Sequence, residues 1–436
     1  MKINKYNLVL IFCFSSQVAN ANDDFTYSSN LTDGFGVSAY QSSIALKGRL
    51  QYDVVNFKDY SAASQDTPFK DSTNGIVRRG NIGVEGNLVN ILPYEVRLAY
   101  DRKDRSWDVD RAWAGFTGWQ FADFYFGRDK FGFGLEGATS SSWALAAERP
   151  IMYDLTSGRD DIDYGYAVKT SGSNYSIGLQ AAKLKYDSGD KNINDNFGYY
   201  GRLTYVPVLS ANQILHLGFS YHDANPDKND TKIATRLETR TRNDDKLRFA
   251  DVSNTTKDDE AIIELGYQYE SLRLQSEYFY RTVKGADIET KTKKGVTTTT
   301  IDEQNVRLDG GYLQVSYLFD SSRRYSVAEG KWGKPNKFNT FEPFYRFEYS
   351  SIKPNKAASK KQLNNNVDGV NAVDRDDRFV VKSSVLGVNY FYNENLSFNV
   401  SYIHSHISNI DTSKSIDDKS VKNSNDTLVA RAQFIF

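Results

Sequence analysis

A run of small and hydroxylated residues, Gly137-Ala138-Thr139-Ser140-Ser141-Ser142, places four hydroxyls on consecutive positions. Arg149 follows shortly after, next to Glu148, and supplies a fixed positive charge. Hydroxyls, exposed backbone N–H groups and a guanidinium are the groups that contact a small anion or another hydrophilic solute. We therefore expect Thr139, Ser140, Ser141, Ser142 and Arg149 to meet such a solute.

Catalytic chemistry has little support in the sequence. Ser140 to Ser142 lack the Gly-x-Ser-x-Gly elbow of serine hydrolases, and no histidine lies near them. His216 and His222 share one face of a predicted strand but lie about 20 Å apart along it, too far to act as a pair. His404 and His406 are closer, and we interpret them as surface residues. We predict no enzymatic activity, no metal site and no cofactor.

The N-terminal 21 residues have the features of a secretory signal peptide: Lys2 and Lys5, an apolar run from Leu8 to Phe14, and Ala19-Asn20-Ala21 before a polar segment. The one cysteine of the chain, Cys13, lies inside this segment. The mature chain, 22–436, would then contain no thiol, which fits an exported protein without disulfides. Its near-neutral charge argues against a nucleic-acid partner.

Alternation of apolar and polar residues runs through the mature chain. In the segment from Ile44 to Val54 the apolar residues occupy every second position, and Tyr94 to Asp101 repeats the pattern. The sequence predicts about 16 such strands. They lie near residues 44–54, 76–88, 94–102, 108–116, 121–128, 162–169, 175–183, 198–206, 214–222, 262–270, 272–281, 311–319, 342–350, 383–392, 395–404 and 427–436.

Strands with one apolar face, many of them ending on tyrosine, predict an all-β fold: a transmembrane antiparallel barrel in the bacterial outer membrane, in contact with its lipid. A barrel leaves no open sheet edge in the bilayer. The soluble alternatives are a β-sandwich, a solenoid or a secreted adhesin. They would show shorter strands and more frequent turns.

Connections between the predicted strands alternate between short and long. Four polar stretches, 223–260, 282–310, 351–380 and 405–426, are expected to be extracellular loops or disordered loop tips. Segment 320–341 is long where a short turn is expected, and the sequence offers no reason for it. The chain ends on Phe436, as the last strand of an outer-membrane barrel commonly does.

Residues 129–161 form the connection after the fifth strand. Phe131, Phe133, Leu135, Trp143 and Leu145 are too apolar for a solvated surface loop. We therefore expect this segment to fold inward and constrict the pore. The alternative is a surface loop that packs on a partner subunit.

The lumen face predicted by alternation carries charges of both signs. Arg49, Arg79 and Arg97 lie on this face, as do Asp53 and Glu95. Arg273 and Arg346 are further inward cations. A lumen of mixed charge predicts at most a modest preference for anions.

Segment 126–155, which contains Gly-Arg, Phe-Gly-Leu-Glu, Ala-Thr-Ser-Ser and Glu-Arg in this order, resembles the constriction-loop region of the phosphate-selective porin O and P family. Residues 48–57, 78–88 and 386–405 also resemble that family. The resemblance implies a homotrimer of 16-stranded barrels, a third loop that narrows the channel, and arginines that guide phosphate. The positions that match pore-lining residues of the family are Arg49, Arg78, Arg79, Ser140, Ser141 and Arg149.

Two positions depart from the phosphate-selective members, because Gly137 and Ser142 stand where those members have lysines. Lysine is a point charge for phosphate that a hydroxyl does not replace. We therefore predict an outer-membrane porin for passive diffusion of small hydrophilic solutes and ions, with phosphate as one candidate. A porin specific for an organic solute is the first alternative. An adhesin or receptor acting through loops 223–260 and 351–380 is the second.

Overall fold

The structure is a computed structural model that describes residues 25–28, 35–58, 72–101, 105–130, 132–157, 162–184, 197–226, 230–240, 246–293, 296–355, 357–358, 378–408, 415–416, 419–420 and 423–436. The predicted signal peptide, residues 1–21, lies outside the described residues. No helix in the described part is long and apolar enough to cross a membrane.

Sixteen strands of the described chain form one closed antiparallel barrel. They are β1 Ser42–Phe57, β2 Ser72–Leu88, β3 Leu92–Asp101, β4 Ser106–Phe116, β5 Asp123–Arg128, β6 Ile162–Ser171, β7 Tyr175–Leu184, β8 Phe197–Leu209, β9 Gln213–Ala224, β10 Lys257–Tyr269, β11 Leu272–Lys293, β12 Val296–Tyr317, β13 Thr340–Pro354, β14 Phe379–Phe391, β15 Leu396–Ser408 and β16 Ser424–Ile435. Every strand predicted from the sequence is present, including the fourth and fifth.

Pairing of the last strand with the first closes the barrel. β16 runs antiparallel to β1, from Thr427 opposite Phe57 to Ile435 opposite Arg49. The Phe436 ring covers Gly48, where a Cβ atom would lie 2.2 Å from the ring. A larger residue at position 48 would force the Phe436 ring to move from this place. A short hairpin, Phe25–Ser28 with Phe35–Ala39, pairs with the start of β1.

Burial in this barrel is inverted relative to a water-soluble protein. On β10 the apolar Ile263 is 62% exposed, whereas the neighbouring Glu264 is 1% exposed. The outer surface is thus apolar and the inner wall polar, as alternation predicts for strands that face lipid on one side. Aromatic groups cluster near the turns, for example Trp119 against Phe121 and Phe124, at the level of a membrane interface.

Two ends of the barrel differ in their connections. At the short-turn end the strands are joined by 89–91, 117–122, 172–174, 210–212, 270–271, 318–339 and 392–395, and at the opposite, long-loop end by the remaining connections. The expectation of a polar loop over 282–310 is wrong. These residues extend β11 and β12 into one hairpin with 22 residues in each strand. The pairing runs from Leu272 opposite Tyr317 to Lys293 opposite Val296. Thr290 and Thr292 face Thr299 and Thr297 across it, so β-branched residues favour strand over loop here.

Among the described residues, three connections contribute helical turns or hairpins that contact the inner wall. The crossing segment, residues 129–157, contains the helical turns α1 Leu135–Ala138 and α2 Met152–Leu155. The upper loop, residues 225–256, carries a hairpin of Thr231–Thr235 with Leu247–Val252. The lower hairpin, residues 318–339 at the short-turn end, pairs Arg323–Ser326 with Lys331–Pro335.

Segment 223–260 contains this upper loop at the long-loop end, and its described part is packed and not a disordered tip, because Phe249 and Val252 are buried. Segment 405–426 continues β15 to Ser408 and begins β16 at Ser424, with a hairpin of Ser415–Ile416 and Lys419–Ser420 between them. Most of 351–380 lies outside the described residues.

Candidate functional site in the barrel lumen

The crossing segment is fixed to the far side of the barrel by one carboxylate. Glu277 on β11 accepts hydrogen bonds from the backbone N–H groups of Leu135 and Glu136, at 2.6 and 3.0 Å, and from the Tyr153 hydroxyl. Gly134 precedes them with a φ of +73°, and a Cβ atom there would lie 2.1 Å from the Tyr153 hydroxyl oxygen. Burial and the Glu277 charge raise the pKa of Tyr153 well above its ordinary value, so Tyr153 remains a donor.

Backbone carbonyls of the same segment are held by amide side chains of the wall. Asn389 on β14 donates to the Leu145 carbonyl at 2.8 Å. Gln433 on β16 donates to the Ser142 carbonyl at 3.0 Å, and Gln51 on β1 donates to the Ser141 carbonyl at 3.2 Å. These side chains all occupy the inner face, so the segment lies inside the barrel along β13 to β16 and β1.

Arg49 meets the hydroxyl run. Its guanidinium donates to the Ser141 hydroxyl at 2.7 Å and the Ser142 hydroxyl at 2.9 Å. No carboxylate of the described chain forms an ion pair with it within 4 Å, and its Nε is buried without a hydrogen-bond acceptor. A guanidinium held by neutral groups keeps its full charge for a solute.

Four arginine guanidiniums lie within 4 Å of the Glu148 carboxylate. Arg78 binds its carboxylate through two nitrogens, one contact being 2.8 Å, and Arg431 donates to it at 3.1 Å. Arg79 and Arg240 lie farther off, each 3.7 Å from the carboxylate. Burial alone would raise the pKa of this carboxyl, but Arg78 and Arg79 hold that pKa well below its ordinary value.

Arg149 braces the crossing segment itself. It donates from Nε to the Glu136 carbonyl at 3.0 Å and from Nη2 to the Thr139 carbonyl at 2.8 Å. Thr139 in turn donates its hydroxyl to the Leu135 carbonyl at 2.9 Å. Because the planar guanidinium binds both carbonyls, Arg149 holds the end of the crossing segment against the start of the hydroxyl run. This part of the segment borders the cavity described next.

A cavity of about 870 Å³ lies between the crossing segment and the wall formed by β1 to β8. Eight of the nine predicted site residues line it: Arg49, Arg78, Arg79, Arg97, Thr139, Ser140, Ser141 and Arg149. Ser142 lies apart, in a small pocket next to Gln433 and Phe391. The structure therefore brings residues from β1, β2, β3 and the crossing segment to one space.

Among the described residues that line this cavity, thirteen are basic and six are acidic. The basic set is Arg49, Arg78, Arg79, Arg97, Arg111, Lys130, Arg149, Lys169, Arg202, Arg236, Arg240, Lys246 and Lys331, and the acidic set is Asp110, Asp129, Glu148, Asp154, Glu238 and Glu329. The balanced lumen expected from alternation is thus not what the cavity presents. The excess of positive charge creates a field that attracts anions.

Two bulges explain charged residues that strict alternation misassigns. Opposite β1, the register shifts between Arg79 and Val77, so Arg78 is the extra residue and faces inward together with Arg79. On β4 a second shift makes Asp110 the extra residue beside Arg111. Sequence reasoning found Arg78 only by resemblance and missed Arg111.

Other cavity residues were missed because they belong to connections. Lys130 lies at the start of the crossing segment. Arg236 and Arg240 follow the first strand of the upper loop, and Lys331 lies on the lower hairpin. No periodic pattern places a loop residue inside a barrel. Only the Arg-x-x-x-Arg spacing of 236–240 could have drawn attention to the upper loop.

The opposite wall, β9 to β16, is covered by the inward connections, and no residue of its described strands lines the cavity. Its inward arginines are paired with carboxylates. Arg281 binds Asp258 through two nitrogens at 2.8 and 2.7 Å. Arg273 and Arg346, predicted as inward cations, are inward but buried against Glu342 and Glu348, respectively, and away from the cavity.

The lower hairpin joins this covered wall. Gln268 on β10 donates to the Arg323 carbonyl and accepts from its N–H, both at 3.0 Å. Arg202 on β8 donates to the Gly330 carbonyl at 2.7 Å. Trp332 packs with Leu135 of the crossing segment. Segment 320–341 is long because it contributes to the interior of the barrel.

A closed barrel with an apolar exterior and a charged cavity inside defines an outer-membrane porin. The model of the family "Phosphate-selective porin O and P" matches residues 44–436, and the chain belongs to this family. The protein is a channel of the bacterial outer membrane. The predicted porin function and outer-membrane location are thereby confirmed.

Among curated proteins, Porin O of Pseudomonas aeruginosa is 24% identical over 420 residues, covering 90% of this chain and 88% of that protein. An anion-selective porin from Comamonas acidovorans superposes with a TM-score of 0.53 at 11% identity, covering 91% of this chain and all of the other. OmpT of Vibrio cholerae gives a TM-score of 0.51 at 10% identity, covering 91% and 98%. At these identities the two structures support the fold alone.

Proposed function

We propose that this porin prefers small anions, phosphate among them, and that the crossing segment is its constriction. The observation that carries the proposal is the excess of thirteen basic over six acidic residues in the described lining of one cavity. Arg49, held by two serine hydroxyls rather than by a carboxylate, is the clearest anion contact. A cavity with this charge raises the local concentration of anions and repels cations.

The constriction follows from where the crossing segment is attached. Its contacts run from Ser220 on β9 and Glu277 on β11 to Gln51 on β1, so it spans the interior of the barrel. A solute must then pass between this segment and the wall of β1 to β8. Arg78, Arg79, Arg97, Arg149 and the hydroxyls of Thr139 to Ser141 would form its path.

Gly137 and Ser142 remove two lysines of the phosphate-selective members, but the cavity has cations elsewhere. Lys130, Lys246 and Lys331 all line it. The family is named for phosphate selectivity, and the porin from Comamonas acidovorans is described as anion-selective. We extend anion preference to this chain and treat phosphate as its first candidate solute.

We also propose that the protein is a homotrimer without enzymatic activity, in keeping with its family. The predicted alternative of an organic solute has one supporting observation. Trp113 and Tyr125, with ring centroids 5.5 Å apart, line the same cavity, and such rings could stack on an organic anion.

The reversal potential of the purified protein in a planar bilayer under a KCl gradient tests the proposal. We expect a potential close to that of chloride, and a current that falls as phosphate is added. A potential close to that of potassium would contradict anion preference. Stronger block by an aryl phosphate than by phosphate would favour the organic solute. If the protein forms no conducting channel, the result would favour the adhesin or receptor alternative.

A further inference from the structure

Four arginines from three separate parts of the chain surround Glu148 of the crossing segment. Arg78 and Arg79 belong to β2, Arg240 to the upper loop and Arg431 to β16. The Glu148 side chain is 9% exposed and still borders the cavity. One negative charge therefore lies at the centre of a cluster of four positive charges.

The four contacts are unequal. Arg78 and Arg431 hold the carboxylate at hydrogen-bond distance, and Arg431 also pairs with Asp53 at 2.7 Å. Arg79 and Arg240 stand at 3.7 Å, beyond a hydrogen bond, and both line the cavity. Arg78 and Arg431 are thus engaged directly by Glu148, whereas Arg240 and Arg79, which also donates to Gln51 at 2.9 Å, meet the carboxylate at longer range.

The main chain keeps Glu148 in this place. Arg346 on β13 donates to the Glu148 carbonyl at 3.1 Å, and Arg431 donates to the Ala147 carbonyl. Ile151, three residues on, donates its N–H to Glu348 at 2.6 Å. The main chain at Glu148 is therefore held by contacts on both sides of it and does not depend on the ion pairs of the Glu148 side chain.

We propose that Glu148 is a resident counter-anion: a positioning residue that holds Arg78 and weakens the binding of a permeating oxyanion to Arg79, which lines the cavity. This inference deepens the proposed anion preference and rests on it. A passing oxyanion adds hydrogen bonds to Arg79 but is repelled by the fixed carboxylate. Binding that is weak enough to release the solute favours throughput over retention.

Charge arithmetic supports this role. Without Glu148 the cluster would gain one net positive charge beside four guanidiniums, and a bound oxyanion would replace the missing carboxylate. The carboxyl is ionised at neutral pH, since the pKa of Glu148 is held well below its ordinary value by Arg78 and Arg79 against the effect of burial. Its charge is therefore present whenever the channel conducts.

The test compares Glu148→Gln with wild type, with Glu148→Asp as the conservative variant. Glu329→Gln is the matched control, because Glu329 lines the same cavity but is 57% exposed and pairs with Lys331 at 2.7 Å. Heat-resistant electrophoretic mobility shows that each variant folds. The measurements are the reversal potential under a KCl gradient and the phosphate concentration that halves the current.

We expect Glu148→Gln to lower the half-blocking phosphate concentration about tenfold or more, since a unit charge next to the site is removed. Unblocked conductance in KCl alone should change by less than about twofold, because the crossing segment keeps its main-chain contacts. Glu148→Asp should stay within about threefold of wild type, and Glu329→Gln should behave as wild type.

A folded Glu148→Gln channel with unchanged or weaker phosphate block would overturn the inference. So would an equal effect of Glu329→Gln, which would indicate a general field in place of a local cluster. If phosphate fails to block the wild type, the proposed phosphate preference fails. The reversal potential then decides the role of Glu148: a shift toward the chloride potential in Glu148→Gln supports it, and no shift overturns it.

Discussion

The two sides of the barrel interior use arginine in different ways. Along β9 to β16 the arginines are buried and face carboxylates, as Arg281 faces Asp258. Along β1 to β8 they border a water-accessible cavity in which cations outnumber acids. We call the first side the paired arc and the second the open arc.

This difference separates structural from functional charge. In the paired arc an arginine removed from water is stable only with its partner, and it holds a connection in place. In the open arc most cations also have carboxylate partners, such as Arg111 with Asp129 and Lys130 with Asp110, but they remain next to the cavity. An arginine on the inner wall of a porin is therefore a candidate solute contact where the cavity reaches it, and the best candidate is Arg49, which has no ion-pair partner in the described chain.

The largest effect is expected from the paired arc. Arg281→Met leaves Asp258 buried at 4% exposure next to Glu260 without its bidentate partner. Removing one member of a buried pair costs about 3–5 kcal/mol. The urea concentration at which the heat-resistant barrel unfolds should drop markedly, whereas the reversal potential of the remaining folded channels should not change.

The control is the double variant Arg281→Met with Asp258→Leu, which removes the stranded charge and should recover much of the stability. If Arg281→Met shifts the reversal potential as strongly as it affects unfolding, the distinction between the two arcs is not valid at this position.

Arg49→Met tests the open arc and should show the opposite pattern. Its guanidinium contacts Ser141 and Ser142 and no carboxylate of the described chain. The free energy of unfolding should fall by only about 1 kcal/mol, which is the contribution of ordinary hydrogen bonds. The chloride-to-potassium permeability ratio should fall several-fold, because a fixed charge at the proposed constriction is lost.

Arg49→Lys is the informative companion, since it keeps the charge but loses the fork that reaches two hydroxyls. We expect it to retain most of the selectivity. If Arg49→Met left the permeability ratio unchanged, Arg49 would be a structural residue like those of the paired arc.

The strands of this barrel could be predicted from the sequence, and the inward connections only in part. Alternation from Ile44 to Val54 or from Ile263 to Tyr269 reports the two environments of a strand directly, because lipid and lumen demand opposite side chains. Apolar residues such as Leu135 and Leu145 also indicated that the crossing segment packs inside. Its contacts agree with that interpretation.

What escaped prediction has identifiable physical causes. The bulges at Arg78 and Asp110 shift the phase of alternation, and no residue pattern marks them. The lower hairpin fills the barrel with Arg323 and Trp332, which resemble ordinary loop residues until Glu342 and Leu135 are known to lie opposite. The cation excess depends on which connections enter the lumen, and so it is a property of the tertiary fold.

The smallest expected effect concerns pH at the boundary of the two arcs, where Glu148 binds Arg78 of β2 and Arg431 of β16. The arginines lower the pKa of Glu148 below its ordinary value of 4.5. The folded state therefore favours the ionised form, so its contribution to stability is present above that value and is lost only as pH falls through the lowered pKa. The sulfate concentration that halves the current should be the same at pH 8 and pH 5, because sulfate itself does not titrate in this range. A contradicting result would be a half-blocking sulfate concentration that changes with pH, with a midpoint near pH 6, in wild type but not in Glu148→Gln. The carboxyl would then take up a proton near pH 6, and burial would outweigh the four arginines.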